Sequence, residues 1–245
     1  MYRARLFVLY LLMSATVSAQ STGETWKQAA NAYQEENYTT ALSLYQLVEI
    51  EVSSDDLFQN IGNCYYKLDS VGQAILYYEK ALKRNPRNGE VTDNLELARS
   101  KMDEPVIRLE PFFLVRWVNG LALALSPLMW GLVSLILLWL IAYAYSRVIR
   151  TRRQLRLRER IVPILILIMI FFLGYISYYQ RVRSDGAIVM RSVELHSAPD
   201  ELSPVSRMIE AGEKVRTLDQ LDGFVKVRLV NFEVGWIPES VVEGI

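Results

Sequence analysis

The apolar positions of this chain fall into four successive patterns, and each predicts a different kind of element. Leu6 to Met13 is a short apolar run, with Arg3 and Arg5 ahead of it and the small residues Val17-Ser18-Ala19 behind. From Thr25 to Asn88 the apolar positions recur at an interval of 33 residues, the mark of stacked helix pairs. Leu128 to Tyr145 and Ile161 to Tyr179 run 18 and 19 residues without one charge, each long enough to span about 30 Å of hydrocarbon as a helix. From Gly186 onward, short β-branched runs alternate with turn formers and predict a small β domain.

The first pattern reads as a secretory signal peptide over residues 1–19, with cleavage before Gln20. Its apolar centre is too short to cross a bilayer of about 30 Å. No cysteine follows the cleavage point, so lipoprotein processing is excluded. The mature N-terminus is expected outside the cytoplasm.

In the repeating segment, residues 20–104, Ala29 matches Gly62, Ala41 matches Ala74, Leu42 matches Ile75, Tyr45 matches Tyr78 and Val48 matches Ala81. Small residues at Gly62, Ala74 and Ala81 let two antiparallel helices approach, and Tyr65 and Tyr78 fill the space beside them. Pro86 ends the second helix. Asn94 to Met102 is expected to form a closing helix over the open end of the stack. The second copy, from Gly62-Asn63-Cys64-Tyr65-Tyr66 to Pro86, resembles the tetratricopeptide repeat. That resemblance implies an all-α stack in which the first helix of each repeat lines a concave, peptide-receiving groove. The groove positions would be Trp26, Ala30, Tyr33 and Gln34, then Gln59, Asn63, Tyr66 and Lys67. Trp26 fits packing between helices equally well. Asn63 and Lys67 are polar and one turn apart on one helix face, which suits a partner.

The two long apolar runs predict transmembrane helices at residues 128–146 and 161–180. One helix from Phe112 to Tyr145 would be about 50 Å long, too long for one bilayer. Residues 105–127 are therefore read as a linker and an interfacial helix, with Arg116 at the headgroups and Trp117 as anchor. The loop 147–160 carries Arg147, Arg150, Arg152, Arg153, Arg156, Arg158 and Arg160 against one acid, Glu159, and the positive-inside bias puts it in the cytoplasm. The expected protein is two-pass in a bacterial inner membrane, with its N- and C-terminal domains in the periplasm. Neither run contains an ionisable residue of the kind that ion and proton paths need, so the spans read as anchors.

In residues 184–245, Val225, Val227 and Leu229 alternate with Lys226 and Arg228, one face inward and one in water. Turns fall at Ala211-Gly212-Glu213 and Asp222-Gly223. Pro199, Gly212-Glu213-Lys214-Val215, Val225-Lys226-Val227 and Gly235-Trp236-Ile237 follow the order of the bacterial SH3-like domain, which this segment resembles. The resemblance implies an all-β barrel that binds peptides or cell-wall material, with His196, Phe232 and Trp236 as candidates for a surface site. Trp236 also suits a core position, and His196 suits a loop.

Charge and chemistry narrow the function. Residues 20–104 carry 14 acidic and 8 basic groups, and residues 184–245 carry 11 and 6, so both parts are acidic and nucleic acid is not expected as a partner. One cysteine, Cys64, excludes an internal disulfide, and one histidine excludes the usual metal sets, so neither metal nor cofactor is expected. Cys64 reads as a packed helix residue. No nucleophile and base pair up in the sequence, so the chain is not read as an enzyme.

The order of these modules resembles the BatE-type proteins of the Bacteroides aerotolerance operon across nearly the whole chain. The resemblance implies an envelope scaffold for oxidative or aerotolerance stress, with partners that include von Willebrand factor A-type membrane proteins. The alternative is a sensor or adaptor that binds peptidoglycan through the β domain.

Overall fold

In the computed structural model the structure describes residues 22–102, 112–152, 154, 156–182 and 186–245. The expected signal peptide, the whole of the linker before Phe112 and, in the arginine loop, Arg153 and Leu155 lie outside them. The described residues divide into two units, one made of the N-terminal helices with the C-terminal sheet, the other of the apolar helices between.

The first unit begins with α1 (22–34), α2 (Tyr38–Glu51), α3 (Asp55–Lys67), α4 (Val71–Arg84) and α5 (Gly89–Arg99). Polar side chains start three of them: Asn37 Oδ1 accepts from Thr40 N–H, Ser54 Oγ from Leu57 N–H and Asn88 Oδ1 from Val91 N–H. α1 and α2 pair antiparallel, with Trp26 edge-on to Tyr45 and Tyr33 edge-on to Tyr38. α3 and α4 pair the same way. A Cβ added to Gly62 would come 2.7 Å from the Tyr78 ring, so glycine is what permits this approach. The closing helix starts at Gly89, five residues before the position read from sequence, because Asn88 caps it.

The sheet contains β1 (Gly186–Val189), β2 (Val193–His196), β3 (Val205–Ile209), β4 (Lys214–Leu221), β5 (Phe224–Arg228), β6 (Val234–Pro238) and β7 (Val242–Gly244). All pairings are antiparallel, in the order β3-β2-β6-β5-β4-β1-β7. Asp222 and Gly223 both take positive φ, 51° and 80°, the conformation a two-residue hairpin between β4 and β5 requires. Val225 and Val227 point into the sheet's core, as their alternation predicts. The ladder is open, with β3 and β7 at its edges, so hydrogen bonds among the described residues do not close the expected barrel.

The helices and the sheet are joined through α4 and β1. β1 buries both of its faces: Ala187 and Val189 enter the sheet's core, while Ile188 enters the core of the helical stack. Burying a side chain of that size contributes about 2 kcal/mol. Two glycines let the backbones meet. A Cβ on Gly72 would lie 3.4 Å from the Gly212 nitrogen, and one on Gly212 would strike Ile75 Cδ1 at 2.7 Å. Gly212 also holds φ +94°, a conformation that residues with a Cβ rarely adopt.

The second unit consists of α6 (Phe113–Ala122), α7 (Pro127–Arg150) and α8 (Leu157–Val182). α7 and α8 are each long and apolar enough to cross a membrane, and most of their side chains are unburied within the chain. α7 starts with proline at its first turn and Ser126 as cap. The helices are tied by polar bonds: Trp130 Nε1 donates to the Ala122 carbonyl at 2.8 Å, Ser177 Oγ to Leu125 at 3.1 Å, and Gln180 Nε2 to Asn119 Oδ1 at 2.7 Å. Tyr145 OH donates to the Arg160 carbonyl at the other end.

Candidate interaction site

The groove positions read from sequence all lie on two helices, Trp26, Ala30, Tyr33 and Gln34 on α1 and Gln59, Asn63, Tyr66 and Lys67 on α3. Their side chains are not equally accessible. Gln59 is buried and accepts from Asn88 Nδ2 at 3.2 Å. Asn63 Oδ1 accepts from Tyr78 OH at 2.7 Å and from Asn94 Nδ2 at 3.2 Å, which fixes the amide plane. Trp26 packs against Tyr45 within the helical core cluster.

Two aromatic and cationic sets remain nearer the surface. Lys67 Nζ lies 5.8 Å from the Tyr38 ring centroid, and Tyr38 in turn meets Tyr33 at 5.2 Å. Lys101 Nζ lies 4.4 Å above the Tyr66 ring and 2.8 Å from Asp69 Oδ1. That hydrogen bond to Asp69 raises the Lys101 pKa, so the ammonium stays charged. Two lysines, Lys67 and Lys101, thus each lie over an aromatic ring. Tyr38, Asn94 and Lys101 were not singled out in the sequence. The first two sit at helix positions without a distinctive pattern, and Lys101, inside the span expected as the closing helix, lies just past the end of α5 at Arg99.

On α4, Glu79 is a buried carboxylate with two cationic partners. Glu79 of α4 receives Arg99 of α5 on one oxygen and Lys214 of β4 on the other, the latter at 2.6 Å. On the same helix, Lys80 Nζ meets Glu243 Oε1 at 3.0 Å, and Lys83 Nζ donates to the Ile245 carbonyl. The outer side of α4 is therefore occupied by the chain's own sheet.

On the sheet, His196 and Trp236 are direct cross-strand partners, 6 % and 9 % exposed. His196 Nδ1 donates to the Ser203 carbonyl at 3.3 Å, and its ring stands edge-on to Phe224. Lys226 Nζ lies 5.5 Å from the Trp236 ring centroid. Phe232 is different: it is 70 % exposed and holds φ 69° in the turn between β5 and β6. Next to it, Glu233 accepts from Ser206, and that bond lowers its carboxyl pKa. Among the described residues no cluster of histidine, cysteine and acids could hold a metal ion.

A family model for the tetratricopeptide repeat matches residues 56–88, which cover nearly all of α3, all of α4 and the cap of α5. No curated protein matches the chain. The matched repeat is a protein-interaction fold without catalytic chemistry of its own.

Proposed function

We propose that this chain is a membrane-anchored scaffold that holds protein partners in an assembly of the bacterial envelope. The observation that carries the reading is the discontinuity of the first unit. Segments before and after two apolar helices share one core, through Ile188, Met190 and Ile245 packed on the helical stack. A shared core requires both segments on one side of any membrane those helices cross, and two crossings satisfy that requirement. The arginines between α7 and α8 favour a cytoplasmic loop, which puts the repeats and sheet in the periplasm.

The tetratricopeptide repeat supports a protein as the ligand, and we read Lys67 and Lys101, each over an aromatic ring, as cations for that partner to meet. We read the sheet as an SH3-like domain from its hairpins and its Gly235-Trp236-Ile237 strand. The resemblance of the module order to BatE-type proteins makes von Willebrand factor A-type membrane proteins the first partners to examine, in a stress or aerotolerance setting. Peptidoglycan binding is the second reading, favoured by an exposed phenylalanine held at positive φ.

Photo-cross-linking in native membranes tests both. A cross-linker at position 67 is expected to capture an envelope protein, and one at position 232 to capture none. Capture of wall fragments at position 232, with nothing at 67, would replace the scaffold with a wall adaptor. Topology is checked separately with an impermeant maleimide. Cysteines at Lys27 and Glu201 should label from the periplasm and one at Arg152 should not.

A further inference from the structure

One exposed face of α7 carries a column of side chains four residues apart. Trp139 and Tyr143 lie ring on ring, with centroids 5.9 Å and planes 8° apart, and they are 66 % and 51 % exposed. Arg147 continues the column: its guanidinium lies 5.9 Å from the Tyr143 ring centroid, and its Nε donates to Tyr143 OH at 3.3 Å. That bond fixes the guanidinium and leaves its two Nη groups as an open fork. Arg150, three residues on and exposed, shares the face. Tyr145 lies off it and bonds the Arg160 carbonyl instead, which ties α7 to α8. The only acid between Arg147 and Arg160, Glu159, accepts from the Arg156 backbone N–H, and the arginine side chains described there form no ion pair among the described residues.

We propose that this column binds one anionic phospholipid, with the phosphodiester on Arg147 and Arg150 and the glycerol and acyl chains along Tyr143 and Trp139. The site rests on the reading of α7 and α8 as membrane-spanning, and it gives a ligand to a helix read so far as an anchor. The chemistry along α7 follows that of such a lipid. Cations stand at the helix end, a phenol hydroxyl one turn inward and a broad apolar ring one turn further, about 12 Å from Trp139 to Arg147. A phosphodiester offers two oxygens to the guanidinium fork. A zwitterionic lipid brings its own cation, which the arginines repel, and a soluble phosphate has nothing to lay on the two rings. Orienting the chain in a membrane needs only the net charge of the loop. It does not need a stack of rings that holds one arginine in place.

The test titrates the full chain, purified in a neutral detergent, with phosphatidylglycerol and counts lipid adducts by native mass spectrometry. Phosphatidylcholine with the same acyl chains should bind about tenfold more weakly. Arg147→Ala/Arg150→Ala should weaken phosphatidylglycerol binding about tenfold or more, and Tyr143→Leu about threefold or more, because the fork is no longer held. Arg156→Ala/Arg158→Ala removes the same charge away from the column and should cost less than about threefold. If the melting point of the first variant falls, Arg147→Gln/Arg150→Gln carries the same expectation. Equal losses in the two alanine double variants would mean diffuse charge and no site. Equal affinity for the two lipids, or displacement of phosphatidylglycerol by glycerol 3-phosphate at the same concentration, would mean that no anionic lipid is selected. Each of these results overturns the proposal. The spanning premise has its own readout: membranes washed with alkaline carbonate should retain the chain. Release without detergent would overturn that premise and the site with it, whereas a retained chain that shows none of these differences in affinity would overturn the site alone.

Discussion

Glu79 links the helical stack to the sheet. Its carboxylate is buried and held by Arg99 on one side and Lys214 on the other. Lys214 is 41 % exposed, so solvent screens part of the group, and removing Glu79 is expected to cost about 1–2 kcal/mol. Glu79→Ala should therefore lower the urea midpoint substantially, while Glu79→Gln, which keeps the shape, should cost less. A variant as stable as wild type would mean the cluster adds no net stability. Cys64 and Tyr45 give a second prediction. Burial pushes both pKa values up to about 12, from 9.0 and 10.0. A raised native pKa keeps the group neutral in the fold, so its contribution is intact below about pH 9 and is lost as pH climbs towards about 12. Urea midpoints should fall over that interval, less steeply in Tyr45→Phe. The thiol should resist iodoacetamide at pH 8 until the chain is unfolded.

At the scale of elements, α5 shows what local chemistry decides. Asn88 caps the helix at Val91 N–H and also bonds Gln59, and α5 in turn supplies Asn94 to Asn63. Asn88→Ala should cost about 1–2 kcal/mol by urea denaturation. Asn88→Asp, which still caps, should recover part of it. The helix pairs, the Asp222-Gly223 hairpin and the two apolar helices were legible in the sequence because each rests on local pattern. Gly62 under Tyr78 is such a case, since glycine at that spacing has one obvious steric use. β2, β3 and β7 were not legible, being three to five residues long, with β3 and β7 at sheet edges. The bonding of the expected groove residues was not legible. Spacing puts Asn63 and Gln59 on one helix, but only the position of α5 shows that their polar atoms are already bonded within the chain.

The joint between repeats and sheet belongs to the whole molecule, and no local pattern states it, since Lys214 lies 135 residues from Glu79. One trace of it is present in the sequence. Ala187-Ile188-Val189-Met190 is apolar without alternation, as a strand buried on both faces must be. If the N-terminal helices and the sheet are one folded body, the 103–185 segment is an insertion in it and is not needed for its folding. Replacing 103–185 with a flexible Gly/Ser linker should therefore give a water-soluble protein. Met102 lies close to Gly212, and β1 pairs with the strand that follows Gly212, so the ends to be joined are near one another. A linker of about 12 residues reaches about 20 Å on average and suffices. Thermal unfolding followed by far-ultraviolet and by tryptophan signals should then give one coincident transition, because Trp26 reports the helices and Trp236 the sheet. Glu79→Ala in that fusion should shift both signals together. Two separated transitions would mean that the sheet only rests against α4, and the argument that both segments lie on one side of the membrane would lose its physical basis.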